Sequence, residues 1–114
     1  MVDIGKVQRG LINYAEQEIA PAFAGSTVKE VLVGAAMEYY IRGKLPALGE
    51  SMGVIVDGQV DVEMLLDILG RQMDKHPDGI TMELRLNPLQ RNEVDVIRLR
   101  RRDIDTMREY IMRA

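Results

Sequence analysis

The chain has 114 residues, 46% of them hydrophobic and 29% charged, with a net charge of −3 and no cysteine. That is the length of one ordinary domain and the composition of a globular one, which makes disorder a poor fit. The missing thiols exclude a disulfide framework, a thiolate nucleophile and a Cys-ligated zinc together, and they fit a reducing compartment.

Asp3 to about Phe23 is predicted to be a helix. Ile4, Val7, Leu11, Tyr14 or Ala15, and Ile19 recur at three- and four-residue steps, while Lys6, Arg9, Asn13, Glu16 and Gln17 fall off that stripe. Asp3 can cap its start, and Pro21 should bend or end it. No basic region followed by a long apolar run occurs in Met1–Lys6, so no signal peptide is expected.

Ala24-Gly25-Ser26 is a break, after which Thr27 and Glu30 have capping-box spacing. The second helix, about 27–43, is apolar on most sides, as expected of a segment that is central or lies in an interface. Gly34, Ala35 and Ala36 are small enough to admit a neighbouring backbone. Lys29, Glu30 and Glu38 interrupt the apolar run from Val28 to Ile41, which is too short to cross a membrane. Gly43 is expected to end this helix in the left-handed conformation, and 44–53 to form a connection with room for one short helical turn.

Two short β-rich runs, Val54-Ile55-Val56 and Gln59-Val60, flank Asp57-Gly58 and predict a tight turn. Asp61 then caps a third helix over about 61–75, with Val62, Leu65, Leu66, Leu69 and Met73 inward. His76-Pro77-Asp78-Gly79 has turn chemistry. Ile80, Met82, Leu84 and Leu86 alternate with Thr81, Glu83 and Arg85, the pattern of a strand with one buried face.

Asn87-Pro88 opens a loop to about Asn92. The second strand, about 93–100, switches parity between Val94/Val96 and Ile97/Leu99, which suggests a bulge near 96–97 or cover on both faces. Asp103 or Asp105 caps a closing helix with Ile104, Met107, Tyr110 and Ile111 as its stripe. The fold expected is α+β over a single domain, 1–114. About four helices pack on a small, mainly antiparallel sheet, with a helical part at 1–53 and a turn-helix, hairpin and closing helix at 54–114.

The catalytic inventory is short. His76 is the one histidine, and its place in a turn marks it as a solvated side chain rather than an oriented general base. With Gly58 at the sixth position of a calcium loop, the first, third and twelfth positions fall on Gly53, Ile55 and Met64, none of which ligates through a carboxylate. Gly43-Lys44-Leu45 lacks the frame of a phosphate loop. Neither a metal nor a cofactor is expected, and the chain is not expected to be an enzyme. Methionines such as Met37, Met64, Met73, Met82, Met107 and Met112 fall at core spacing more than at the surface.

Charge is distributed unevenly. Residues 1–75 carry 7 basic and 11 acidic side chains, while residues 76–114 carry 8 and 7, and all eight of those basic residues are arginine. On an extended strand Arg98, Arg100 and Arg102 would share one face, joined by Arg101, with Arg85 and Arg91 near if the hairpin forms. Such a row could dock an acidic partner or nucleic acid. It could equally pair with Glu83, Glu93, Asp95 and Asp103 and blunt a sheet edge. Tyr110 is the one aromatic residue in this region, which argues against base stacking.

The order of parts resembles a group of short uncharacterised proteins encoded in phages and prophages of Gram-positive bacteria. The likeness rests on Tyr14 with Ile19-Ala20-Pro21, the segment Gly53 to Val62, and Asp103-Ile104-Asp105 leading into Tyr110-Ile111. It implies an accessory or assembly role, and the arginine cluster departs from it. Together these features predict a non-enzymatic structural or assembly protein that self-associates and also meets an unidentified protein partner. Val31, Ala35, Tyr39 and Leu48 are the expected contacts. The alternative is a nucleic-acid-binding accessory using Arg98, Arg100, Arg101 and Arg102. No membrane partner is expected. The expected location is the cytoplasm, or the virion for a phage-encoded chain.

Overall fold

The first helix starts where the sequence puts its cap. In the computed structural model, which describes residues 1–23, 27–77, 80–84, 93–97 and 101–114, Asp3 Oδ2 accepts the Gly5 N–H at 2.9 Å. Helix α1 (Ile4–Tyr14) thus begins with one of its unpaired donors satisfied. The helix then widens. Over Ala15–Ile19 the chain makes a π turn, with the Ala20 N–H reaching back to the Ala15 carbonyl, and it tightens to a 3₁₀ turn over Ala20–Phe23. Pro21 explains the widening, because its ring would clash with the carbonyl four residues earlier, on Gln17, inside the π turn.

The same device recurs. Helix α2 (Thr27–Tyr39) passes into a second π turn, Tyr40–Lys44, and then into α3 (Leu45–Ser51) without leaving helical geometry. Pro46 is the cause here, since the carbonyl it would strike belongs to Arg42. Two expectations are corrected by this. Gly43 does not end the helix, and residues 44–53 are mostly helix rather than connection. The left-handed glycine is Gly53, at φ 74°. Its N–H bonds to the Glu50 carbonyl at 3.1 Å, and the Val54 N–H bonds to that of Gly49 at 2.9 Å, which is the Schellman arrangement.

Asp57 and Gly58 both have positive φ, 51° and 73°, as a two-residue type I′ turn requires. They join β2 (Ile55–Val56) to β3 (Gln59–Val60), and β1 (Val2–Asp3) pairs on the other side of β3, giving an antiparallel sheet of order β1-β3-β2. Helix α4 (Val62–Lys75) follows at once, with Asp61 Oδ1 accepting the Met64 N–H at 3.1 Å.

A separate antiparallel pair, β4 (Ile80–Leu84) and β5 (Glu93–Ile97), runs in unbroken one-to-one register from Ile80↔Ile97 to Leu84↔Glu93. The expected bulge at 96–97 is therefore absent, and the parity switch falls where the strand ends. Helix α5 (Arg101–Arg113) closes the chain. Asp103 and Asp105 lie inside it rather than capping it, and Asp103 in the first turn opposes the positive end of the helix dipole.

The α+β expectation holds, with five α-helices and five strands among the described residues. One core joins them. Val7, Leu11, Tyr14, Ala15 and Ile19 from the first helical run meet Val33, Val54, Val60, Leu65, Leu66, Met107 and Ile111. The tightest approach is α1 against α5. A methyl group on Gly10 would stand 2.8 Å from the Ile111 nitrogen and 2.9 Å from the Tyr110 carbonyl oxygen. Only glycine lets the two backbones come that close.

Candidate interaction face

Among its described side chains, helix α2 buries one side and leaves the other exposed. Val33 is fully buried and Met37 packs on the core, while Val31, Ala35 and Tyr39 lie on the opposite side at successive four-residue steps. Val31 is 65% exposed and Tyr39 66%. The π turn adds Tyr40, 60% exposed, and α3 adds Leu48 at 51%. The four residues expected from the sequence to mediate self-association are therefore all exposed, three of them on one stripe. Scattered apolar side chains on a surface are ordinary; a helical row of them is not.

Among the described residues, two glycines and one ion pair lie near this stripe. A methyl group on Gly34 would touch nothing within 4 Å, and one on Gly43 would meet the Tyr39 ring edge at 3.9 Å. The Arg42 Nε donates to Glu38 Oε1 at 3.1 Å, one turn apart along the stripe. That pair neutralises Glu38, which lies beside the apolar row. Both partners are half exposed, so it contributes little stability.

No family model matches the chain, and neither a curated protein nor a solved structure matches it significantly. The reading of function therefore rests on the geometry of this molecule.

A second cluster, not foreseen from sequence, joins α4 to α5. Arg108 donates from Nε and Nη2 to the two carboxylate oxygens of Glu63, at 2.8 and 3.0 Å, and from Nη1 to Asp105 Oδ1 at 2.7 Å. Glu63 first and Asp105 second hold the Arg108 guanidinium protonated even more firmly than usual. These groups, with Leu66, Asp67, Gly70 and Ile104, line an open cleft of about 280 Å³. Asp67 is itself paired with Arg71 at 2.8 Å. Arg108 spends three of its donors within the cluster and offers no open fork to an anion. The Asp105–Arg108 spacing was visible in the sequence; Glu63, 45 residues from Arg108, was not.

A third cluster locks the ends of the chain together. The Tyr110 hydroxyl lies 2.9 Å from Glu18 Oε1 and 3.0 Å from Gln17 Oε1, both on the first π turn. Its ring meets Tyr14 edge-on at 5.7 Å, and the Arg113 guanidinium stacks over it at 4.9 Å. Burial pushes the Tyr14 phenol well above the usual tyrosine range, helped by Asp103, Glu18 and Tyr110; hydrogen bonding to Glu18 raises that of Tyr110.

The arginine row falls only in part among the described residues. Arg98 and Arg100 lie outside the described residues. Arg101 opens α5 and Arg102 is exposed on its first turn, so Arg102 does not share a strand face with the others. Strand β5 ends at Ile97 and α5 begins at Arg101. His76 is exposed at the end of α4, its backbone N–H bonded to the Met73 carbonyl at 3.1 Å. Among the described residues no three His, Asp or Glu side chains group to hold a metal ion, and no helix is long and apolar enough to cross a membrane.

Proposed function

We propose that this chain is a non-enzymatic assembly protein that associates with itself through the outer face of α2 and α3, in the phage or prophage setting its layout resembles. The observation that carries the reading is the exposed row Val31, Ala35 and Tyr39, with Tyr40 and Leu48 exposed off the row. Covering that row removes apolar area from water without stranding a charge, because Glu38 and Arg42 already satisfy each other.

Area sets the strength. Each tyrosine, about two-thirds exposed, offers roughly 130 Å² of the 150–250 Å² that an aromatic side chain can bury. Tyr39 with Val31 and Ala35, the residues that share the stripe, offers on the order of 250 Å² per copy, or about 500 Å² for a pair, the size of a weak, transient contact rather than of a stable interface. An area of that size fits a weak, reversible association. Light scattering across micromolar concentrations tests it. The mass should rise from the monomer value of 12.9 kDa toward twice that. A mass that stays at the monomer value to the highest soluble concentration removes the proposal.

A further inference from the structure

We infer that the Gln8 side chain supplies the hydrogen bond that Pro46 cannot, and so latches the bend between α2 and α3 onto α1. In a π turn each N–H reaches five residues back, and here the Leu45 N–H takes the Tyr40 carbonyl. The next carbonyl, on Ile41, would pair in the same way with the N–H of residue 46, which proline lacks. Ile41 is only 9% exposed, so a bare carbonyl there would be costly. Gln8 Nε2 donates to it at 3.3 Å, across 33 residues of sequence.

The first π turn has the same gap in a different setting. There the Ala20 N–H takes the Ala15 carbonyl, and Pro21 withholds the corresponding backbone donor from the carbonyl of Glu16. Glu16 is exposed, so water can serve it. Burial is what calls for a side chain at the second turn. The latch matters because little else holds α3. Gly49 is its one buried residue, set so close to Ile55 that a methyl on it would stand 2.7 Å from the Ile55 Cγ1. The Gln8 bond fixes the other end, and its loss lets α3 open more often as a short unit.

Amide hydrogen exchange of Gly49 to Met52 reads that opening. Gln8→Met keeps the length of the side chain and removes the donor, so these amides should exchange about fivefold faster, the effect of one hydrogen bond. Pro46→Ala returns a backbone donor to Ile41, from residue 46 in a π turn or from Leu45 in an α turn. In that background Gln8→Met should leave the rates unchanged. A Gln8→Met chain that exchanges as the parent does overturns the inference. So does an equal acceleration with and without Pro46, which would mean that Gln8 acts by packing alone. Should Pro46→Ala fail to fold, Gln8→Glu at neutral pH decides. It has the shape of glutamine but turns only acceptors toward the Ile41 carbonyl, so it should exchange faster than Gln8→Met. Equal rates for those two variants overturn the latch. Self-association is read separately, by light scattering, and stands or falls apart from this bond.

Discussion

Replacing Gly10 by alanine tests the packing of α1 on α5, the closest contact in the fold. Two effects oppose each other. Alanine is favoured over glycine in a helix interior by about 1 kcal/mol. Against that, the added methyl would meet Ile111 N at 2.8 Å and Tyr110 O at 2.9 Å, and the Ile111 Cα is nearer still. These are backbone atoms of a packed helix, so no rotamer change relieves them and α5 must shift. Overpacking of this kind costs about 1–3 kcal/mol and at times more, and the larger end applies where backbone must move.

The expected net result is a loss of about 2 kcal/mol, read as a drop of about 1 M or more in the urea midpoint at unchanged slope. Gly70→Ala is the control, because it too lies inside a helix but a methyl there would touch nothing within 4 Å. It should gain up to about 1 kcal/mol. Opposite signs at Gly10 and Gly70 support the close α1–α5 approach. A Gly10→Ala variant as stable as the parent would refute it.

Gly53→Ala forces a side chain into the left-handed conformation at the end of α3 and should cost about 1–2 kcal/mol in urea unfolding; no loss would mean the Schellman end is not formed. Asp61→Ala removes the cap of α4 and should cost about 1 kcal/mol, with Asp61→Asn recovering most of it; equal stability of all three chains would rule out the cap. Tyr14 gives a pH dependence of definite sign. Its phenol keeps its proton in the folded chain at pH values where the unfolded chain loses it, so its contribution is complete below about pH 10 and declines as pH rises beyond. Urea midpoints measured across that range should fall less steeply for Tyr14→Phe than for the parent, and identical slopes would show that Tyr14 is not buried as described.

Features written in adjacent residues were legible before any coordinates. Asp3 and Asp61 cap the helices they precede, Asp57-Gly58 makes the hairpin turn, and the stripe from Ile4 to Ile19 faces the core. Each depends on chemistry within a few positions. The Val31, Ala35 and Tyr39 row was legible for the same reason, since helical period alone sets it opposite Val33 and Met37.

What was misread depended on distance or on compensation. Gly43 read as a helix end and 44–53 as a connection, but a π turn accommodates Pro46 and the helix continues into α3. Strand β1 is two residues long and is held by Gln59 and Val60, far along the chain. Glu63 meeting Arg108, and Glu18 meeting Tyr110, are side-chain pairings that only the packed fold creates. Of the arginine row, Arg101 and Arg102 belong to α5, while Arg98 and Arg100 lie outside the described residues.

The central claim is that the outer face of α2 is a contact surface for a second copy. Sedimentation velocity of the parent chain and of Tyr39→Glu, at matched micromolar concentrations, tests it most directly. The substitution lies at a 66% exposed position, so the fold should survive it with an unchanged urea midpoint. The account predicts a concentration-dependent rise toward dimer for the parent and a monomer at every concentration for Tyr39→Glu. A parent that sediments as monomer throughout, or a Tyr39→Glu chain that dimerises as the parent does, contradicts it.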